Sequence, residues 1–221
     1  MEEVRLIEVK EDIMSDNAVK ADELRAELKE QGTYLINLMS SPGAGKTTLI
    51  LKTVEAIGGR IKVGVMEADI DSKVDAEKIA ARGIEAVQLR TGGFCHLDAN
   101  MVTKGLDAMN VSELDLIIIE NVGNLVCPAE FDTGATKNIM ILSVPEGDDK
   151  PLKYPLMFTV SDVMIIHKTD YLTLSDFNVE LARERATSLN PNIKIFEISS
   201  RTGEGSQKLA DWLVEEVKAY Q

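Results

Sequence analysis

Positive charge is scarce in this chain. Its 221 residues carry 24 Lys and Arg against 37 Asp and Glu, a formal charge of −13. Nucleic-acid surfaces need clustered cations to displace phosphate counterions, so a broad nucleic-acid footprint is excluded. A local basic pocket is not. Long apolar runs are missing too. No stretch approaches the roughly 20 residues that span a bilayer. The opening Met1-Glu2-Glu3-Val4-Arg5-Leu6-Ile7-Glu8 lacks the basic start and apolar segment of a secretory signal. The expectation is a cytoplasmic protein without a membrane partner. Cysteine is limited to Cys95 and Cys127. One disulfide could join them, but in a reducing compartment free thiols or metal ligation fit better.

The remaining composition is that of a folded domain. Hydrophobic residues make up 44% and charged residues 28%, close to globular averages. The length suits one α/β domain with a sizeable core. From Tyr34 onward, short apolar runs at 34–39, 62–67, 85–89, 114–119, 138–143, 163–167 and 193–198 predict strands. Between them, helical patterns occupy 46–57, 72–82, 98–109, 154–160, 175–189 and 204–219. Short, nearly all-apolar strands separated by helices are what a parallel sheet covered on both faces requires.

Residues 1–32 read as an N-terminal extension. A short acidic, strand-like lead precedes Ser15-Asp16-Asn17, and then comes a surface helix over 18–29 with no chemistry of its own. Leu24 and Leu28 are four apart there, and Gly32 is a plausible stop. Neither repeat nor linker divides the chain. The expected architecture is a single α/β domain over 1–221, of the phosphate-loop NTPase type, with a mainly parallel sheet and helices on both faces. Ligands in such folds sit beyond the carboxyl ends of the strands.

The decisive stretch is Ser40-Ser41-Pro42-Gly43-Ala44-Gly45-Lys46-Thr47-Thr48, between the first core strand and a helix. Strand, glycine-rich turn and helix, in that order, form a phosphate cradle of converging backbone N–H groups at a helix N-terminus. Gly43, Ala44, Gly45, Lys46, Thr47 and Thr48 are the candidate nucleotide contacts. Lys46 would bridge the β- and γ-phosphates, and the Thr47 hydroxyl would ligate Mg²⁺. Ser40 stands where the motif usually has its first glycine.

Carboxylates should complete the magnesium shell. The second strand ends in Glu67-Ala68-Asp69-Ile70-Asp71, followed by Asp75. Such residues hold Mg²⁺ or orient the attacking water, or they merely cap the next helix. Asp69 is favoured for magnesium and Asp75 for catalysis. The strand Leu114-Asp115-Leu116-Ile117-Ile118-Ile119 ends in Glu120, placed as a second magnesium-side carboxylate with a catalytic role beside Lys46. Gly123 could then turn its N–H towards the γ-phosphate.

The purine reader is the next polar turn. His167-Lys168-Thr169-Asp170 resembles the guanine-selecting Asn-Lys-x-Asp motif of GTPases, with His for Asn. A carboxylate accepts both guanine N1–H and the exocyclic amine, a donor pair that adenine lacks. The Lys168 stem can lie along the base, and Ser199-Ser200-Arg201 would complete the pocket. GTP is expected over ATP, with GDP as product.

Both cysteines lie in loops beyond strand ends: Thr91-Gly92-Gly93-Phe94-Cys95-His96-Leu97 and Asn121-Val122-Gly123-Asn124-Leu125-Val126-Cys127-Pro128. Two thiolates and an imidazole suit Zn²⁺ or Ni²⁺. Free cysteines are also common as small buried hydrophobes, so spacing leaves both readings open. If the metal is real, one chain supplies three ligands, and a dimer could complete or share the site.

Taken together, the phosphate loop, Gly93-Phe94-Cys95-His96-Leu97, Glu120-Asn121-Val122-Gly123-Asn124-Leu125-Val126-Cys127-Pro128 and Pro145-Glu146-Gly147-Asp148-Asp149-Lys150-Pro151-Leu152-Lys153-Tyr154-Pro155 resemble the HypB family, the nickel-incorporation GTPases of nickel-iron hydrogenase maturation. The resemblance runs from Tyr34 to the end, and it accounts for Ser40. It implies a slow GTPase that forms a homodimer with GTP bound and helps deliver Ni²⁺ to the hydrogenase large subunit. A nickel-binding accessory maturation protein is the implied donor. It also implies a Ni²⁺ or Zn²⁺ site at Cys95, His96 and Cys127 near the dimer interface, with Lys153 approaching the base of the neighbouring subunit. Two features depart from the family. No cysteine precedes Cys95 and histidine totals two, so a nickel-storing tract is not expected. His167 leaves guanine selection resting mainly on Asp170. The rival readings are the related urease-accessory GTPase and a non-catalytic, GTP-dependent metal-binding scaffold.

Overall fold

The computed structural model describes residues 9–69 and 74–221; the strand-like lead and Asp71 lie outside the described residues. Among the described residues the strands are β1 Tyr34–Ser40, β2 Val63–Asp69, β3 Glu85–Arg90, β4 Leu116–Glu120, β5 Lys137–Ser143, β6 Val163–His167 and β7 Lys194–Ile198. The helices are α1 Val9–Gln31, α2 Lys46–Ile57, α3 Val74–Ala80, α4 Ala99–Leu106, α5 Cys127–Glu130, α6 Lys150–Lys153, α7 Pro155–Thr159, α8 Val179–Leu189 and α9 Ser206–Tyr220. The strands form one sheet in the order β3-β2-β4-β1-β5-β6-β7, and every pair is parallel.

Central strands of this sheet are buried on both faces, which is why they read as apolar runs. All of β1 is buried. Ile36 and Leu38 face one side, where they join Leu49 and Ile50 of α2 and Leu209 and Leu213 of α9. Leu35 and Met39 alternate to the other side. There Leu35 joins Leu24, Leu28 and Val102, while Met39 joins Phe158 and Ala182. From β1 the chain runs outward through β2 and β3, returns to β4 beside β1, and crosses to β5 on β1's other flank. The reversal opens a crevice at the carboxyl end of β1, directly above the phosphate loop.

The expected fold class is the observed one, but several helices differ in extent. The helix expected over 154–160 is α7, and a further short helix, α6, precedes it; the two are separated at Tyr154, because Pro155 cannot continue a helix ladder. The helix expected from 175 starts only at Val179, as α8, and a 3₁₀ turn, Thr169–Leu174, precedes it. Asn178 sets that start by accepting the Leu181 N–H at 3.0 Å.

The largest change is α1. Ser15-Asp16-Asn17 does not cap a helix over 18–29 but lies inside a longer one, and Asn17 spends its side chain on Ala99 and Asp132. α1 is a surface helix with one buried face: Ala21, Leu24 and Leu28 are in the core, while Asp22, Glu23 and Glu27 are exposed. Leu28→Ala should therefore cost about 2–5 kcal/mol in urea unfolding, as buried leucines do. A loss within about 0.5 kcal/mol, usual for exposed positions, would show that this face of α1 is not part of the core.

Candidate functional site

The phosphate loop is held open by its own backbone. Gly45, which precedes α2, adopts φ 102°, a left-handed conformation. A Cβ there would also stand 2.7 Å from the His167 ring, so conformation and space both require glycine. Lys46 Nζ donates to Ser40 Oγ at 3.2 Å. Burial lowers the Lys46 pKa, while Glu120 and Glu67 oppose the shift. Thr47 Oγ1 donates to Glu120 Oε1 at 2.9 Å.

Sheet register sets the carboxylates. Glu120 aligns with Leu38 on one side and Glu67 on the other. One oxygen from each of Glu67, Asp75 and Glu120 lies within 4.8 Å of the others. Burial pushes Glu120 up to about 7 against the pull of Lys46 and the Thr47 hydroxyl. Burial, with Glu120 adding to it, likewise takes Glu67 up to about 7. Glu67 Oε2 and Glu120 Oε2 are both buried and take no hydrogen bond from the described residues. Crowded carboxylates with orphaned oxygens, beside a threonine hydroxyl, are a donor set that fits Mg²⁺.

Asp69 falls outside this group. It aligns with Arg90 at the β2–β3 edge, two residues or about 7 Å beyond Glu67 at the usual strand rise. Glu67 occupies the place that the sequence reading gave to Asp69. Asp75 reaches the group from the first turn of α3 while pairing with Lys78 at 2.7 Å.

A cavity of about 200 Å³ opens beside the loop, lined by Gly45, Thr48, Lys168, Asp170, Ser200 and Arg201 among others. Ser199 Oγ donates to Asp170 Oδ1 at 2.7 Å and lowers its pKa, with Arg201 assisting. Asp170 Oδ2 is buried and takes no hydrogen bond from the described residues, which leaves an acceptor for a base. Lys168 has φ 60°, unusual for a non-glycine residue. That conformation sends its Nζ to the Gly43 carbonyl at 2.7 Å.

His167 is buried and bridges two loops. Its Nδ1 meets the Ala44 carbonyl at 2.8 Å and its Nε2 meets Ser200 Oγ at 2.7 Å. A carbonyl only accepts, so Nδ1 carries the proton and Nε2 accepts from the serine hydroxyl. Lys153 stands apart from this cavity: it pairs with Asp149 at 2.5 Å and lines a groove with Glu146 and Phe177.

Cys95, His96 and Cys127 converge, with one ligand atom from each within 4.8 Å of the others. The thiols are free, with their sulfurs 2.8 Å apart. His96 stacks on Phe131, with ring centroids 3.8 Å apart and planes 16° apart. Burial lowers the His96 pKa and favours the neutral, ligating imidazole. Contact with Cys95, then burial, raises the Cys127 pKa. Two thiols and a neutral imidazole fit a soft or borderline cation, which would displace the thiol protons.

Residues 34–197 match the CobW/HypB/UreG nucleotide-binding domain family. The hydrogenase maturation factor HypB of Azotobacter chroococcum mcd 1 is 45% identical over 95% of this chain and 68% of its own. The chain belongs to the HypB family. The hydrogenase/urease maturation factor HypB of Helicobacter hepaticus is 42% identical over 94% of this chain and 86% of its own. Helicobacter pylori HypB in complex with nickel superposes with a TM-score of 0.88, at 39% identity, covering 93% of this chain and 97% of that one.

Sequence reasoning weighed Glu67 without favouring it, and gave Glu146 no role. Its carboxylate accepts from the Ser41 hydroxyl of the phosphate loop and from Ser143 N–H and Oγ at 2.9 and 2.6 Å. The Ser-x-x-Glu spacing of a capping box was the available signal.

Burial, only partly offset by the Ala44 carbonyl, lowers the His167 pKa. The folded state then binds fewer protons than the unfolded one below about pH 6.5. Stability is complete above that value and falls as the pH drops towards the lowered folded pKa. His167→Asn should flatten the urea-stability profile below about pH 6.5 while retaining GTP binding. An unchanged profile would remove His167 from the acid response.

Proposed function

We propose that this chain is a GTP-hydrolysing nickel-delivery factor in hydrogenase maturation, with nickel carried as cargo at Cys95, His96 and Cys127. One observation carries the reading. The segment from Glu120 to Cys127 begins at the carboxylate bonded to Thr47 and ends at the thiol beside Cys95. Within it, a Cβ on Gly123 would come 3.0 Å from Pro42 of the phosphate loop. Nucleotide grip and metal ligand therefore share one short, tightly packed run of chain.

Each group then has a task. Lys46 neutralises the β/γ-phosphates, and the backbone of Gly43 to Thr48 cradles them. Thr47 and Glu120, with Glu67 and Asp75 close by, would hold Mg²⁺, which screens phosphate charge when bound. Asp170 accepts from the guanine edge, Ser199 orients it, and Lys168, Ser200 and Arg201 close the pocket. Loops held by a γ-phosphate relax when it leaves, and here the relaxing loop would carry Cys127.

Apolar residues beside the ligands support a GTP-dependent homodimer: Phe94 is 56% and Val126 50% exposed. A second copy would cover them, complete the ligand set and bring the partner's Lys153 to the base. A nickel-binding accessory maturation protein would load the site, and the hydrogenase large subunit would receive the ion. Zn²⁺ suits the same donors. Urease is the second candidate client, because a relative of the same family is named for both enzymes.

Cys95→Ala and Cys127→Ala should each remove most high-affinity Ni²⁺ binding in competition with a chromophoric chelator, with GTP binding intact. Unchanged stoichiometry in both would overturn the metal reading. Lys46→Ala should abolish single-turnover GTP cleavage; cleavage at the unmodified rate would leave a scaffold rather than an enzyme. Asp170→Asn should shift preference towards xanthine nucleotides, and retained tight GTP binding without xanthine binding would contradict its role.

A further inference from the structure

Cys95 and His96 come from the loop after β3, and Cys127 opens α5 at the end of the loop after β4. The centre exists only while two separate loops keep register. We propose that the N-terminal helix α1 sets that register, with Asn17 and Arg25 as positioning residues for the thiol–imidazole centre. This rests on the metal reading of Cys95, His96 and Cys127.

Asn17 is only 6% exposed. Its Oδ1 accepts the Ala99 N–H at 2.9 Å, just beyond His96, and its Nδ2 donates to the Asp132 carbonyl at 2.9 Å, just beyond Cys127 and Phe131. Phe131 is the ring stacked on His96. One buried amide thus bonds to the backbone on each side of that stacked pair.

Arg25 grips the same turn. It pairs with both carboxylate oxygens of Asp132 and donates its Nε–H to the Ala135 carbonyl at 3.0 Å. Asp132 Oδ1 also accepts the Gly134 N–H at 2.9 Å. Leu24 fills the space against Gly134. Asn17, Leu24 and Arg25 share one face of α1 by helical spacing.

A helix that only covered the sheet would need Leu24 and Leu28, not a buried asparagine. Burying an amide costs stability unless both its ends are bonded, and both ends of Asn17 are bonded to the metal-bearing loops. Groups that orient ligands from outside typically account for about 10–100-fold in metal affinity.

The test measures Ni²⁺ affinity by chelator competition, at a temperature where circular dichroism shows each variant folded. The sulfur-to-nickel charge-transfer band is recorded alongside. Asn17→Leu removes both bonds, whereas Asn17→Asp keeps the acceptor for Ala99 and loses the donor to Asp132. Both should bind Ni²⁺ about 10–100-fold more weakly with an altered band, and Arg25→Lys should fall between them and the unmodified protein. If Asn17→Leu does not fold, Asn17→Asp carries the same expectation.

Unchanged affinity and band in folded Asn17 variants would overturn the proposal, even with a lowered Tm, since a merely structural role predicts that result. Cys127→Ala, measured in parallel, separates the two readings. If it loses Ni²⁺ while the Asn17 variants keep it, only the positioning role fails. If it too binds like the unmodified protein, the metal reading fails and the positioning role with it.

Discussion

The half-buried Thr47 hydroxyl donates at 2.9 Å to Glu120, a carboxylate almost closed to water. There the carboxylate is hard to ionise without a cation, and burial outweighs even the nearby Lys46. The bond fixes the start of the segment that ends in Cys127, and Gly123 seats that segment on the phosphate loop. Whatever changes the charge around Glu120 acts on both. The fold makes the meeting unavoidable: β1 and β4 are neighbours in register, so their carboxyl ends deliver the phosphate loop and the acidic strand end side by side.

Much of this was legible from the chain alone. The strands were, because strands buried on both faces leave an apolar signature that no neighbouring helix obscures. The phosphate loop was too, because its glycines and Lys-Thr-Thr fall between a strand and a helix, and so were the two cysteine loops, which hold both cysteines of the chain. Register was not legible. Glu67 and Asp69 share one face of β2, and only pairing with β4 shows that Glu67 stops level with Glu120. Helix starts failed for a related reason: Ser175 and Asn178 are both plausible caps, and tertiary packing chose Asn178.

The residues hardest to foresee support others rather than meet a ligand. His167 ties the phosphate loop to the loop of Ser200, and Glu146 ties the loop to β5. Asn17 ties two loops to a helix that looked peripheral. His167 and Asn17 are buried and Glu146 is half-buried, and each is bonded on two sides, as a polar side chain taken out of water must be. Apart from Ser143, which the capping-box spacing reveals, their partners lie far away in sequence, beyond the reach of motif spacing.

The central claim is that nucleotide state and metal affinity are coupled through Glu120 to Cys127. It is tested by measuring Ni²⁺ affinity on one preparation with Mg²⁺-GDP and then with Mg²⁺ and a non-hydrolysable GTP analogue. Coupling of ordinary strength predicts affinities that differ by about 5- to 150-fold, with the reciprocal change in nucleotide affinity when Ni²⁺ is present. Identical affinities in the two nucleotide states would contradict the account.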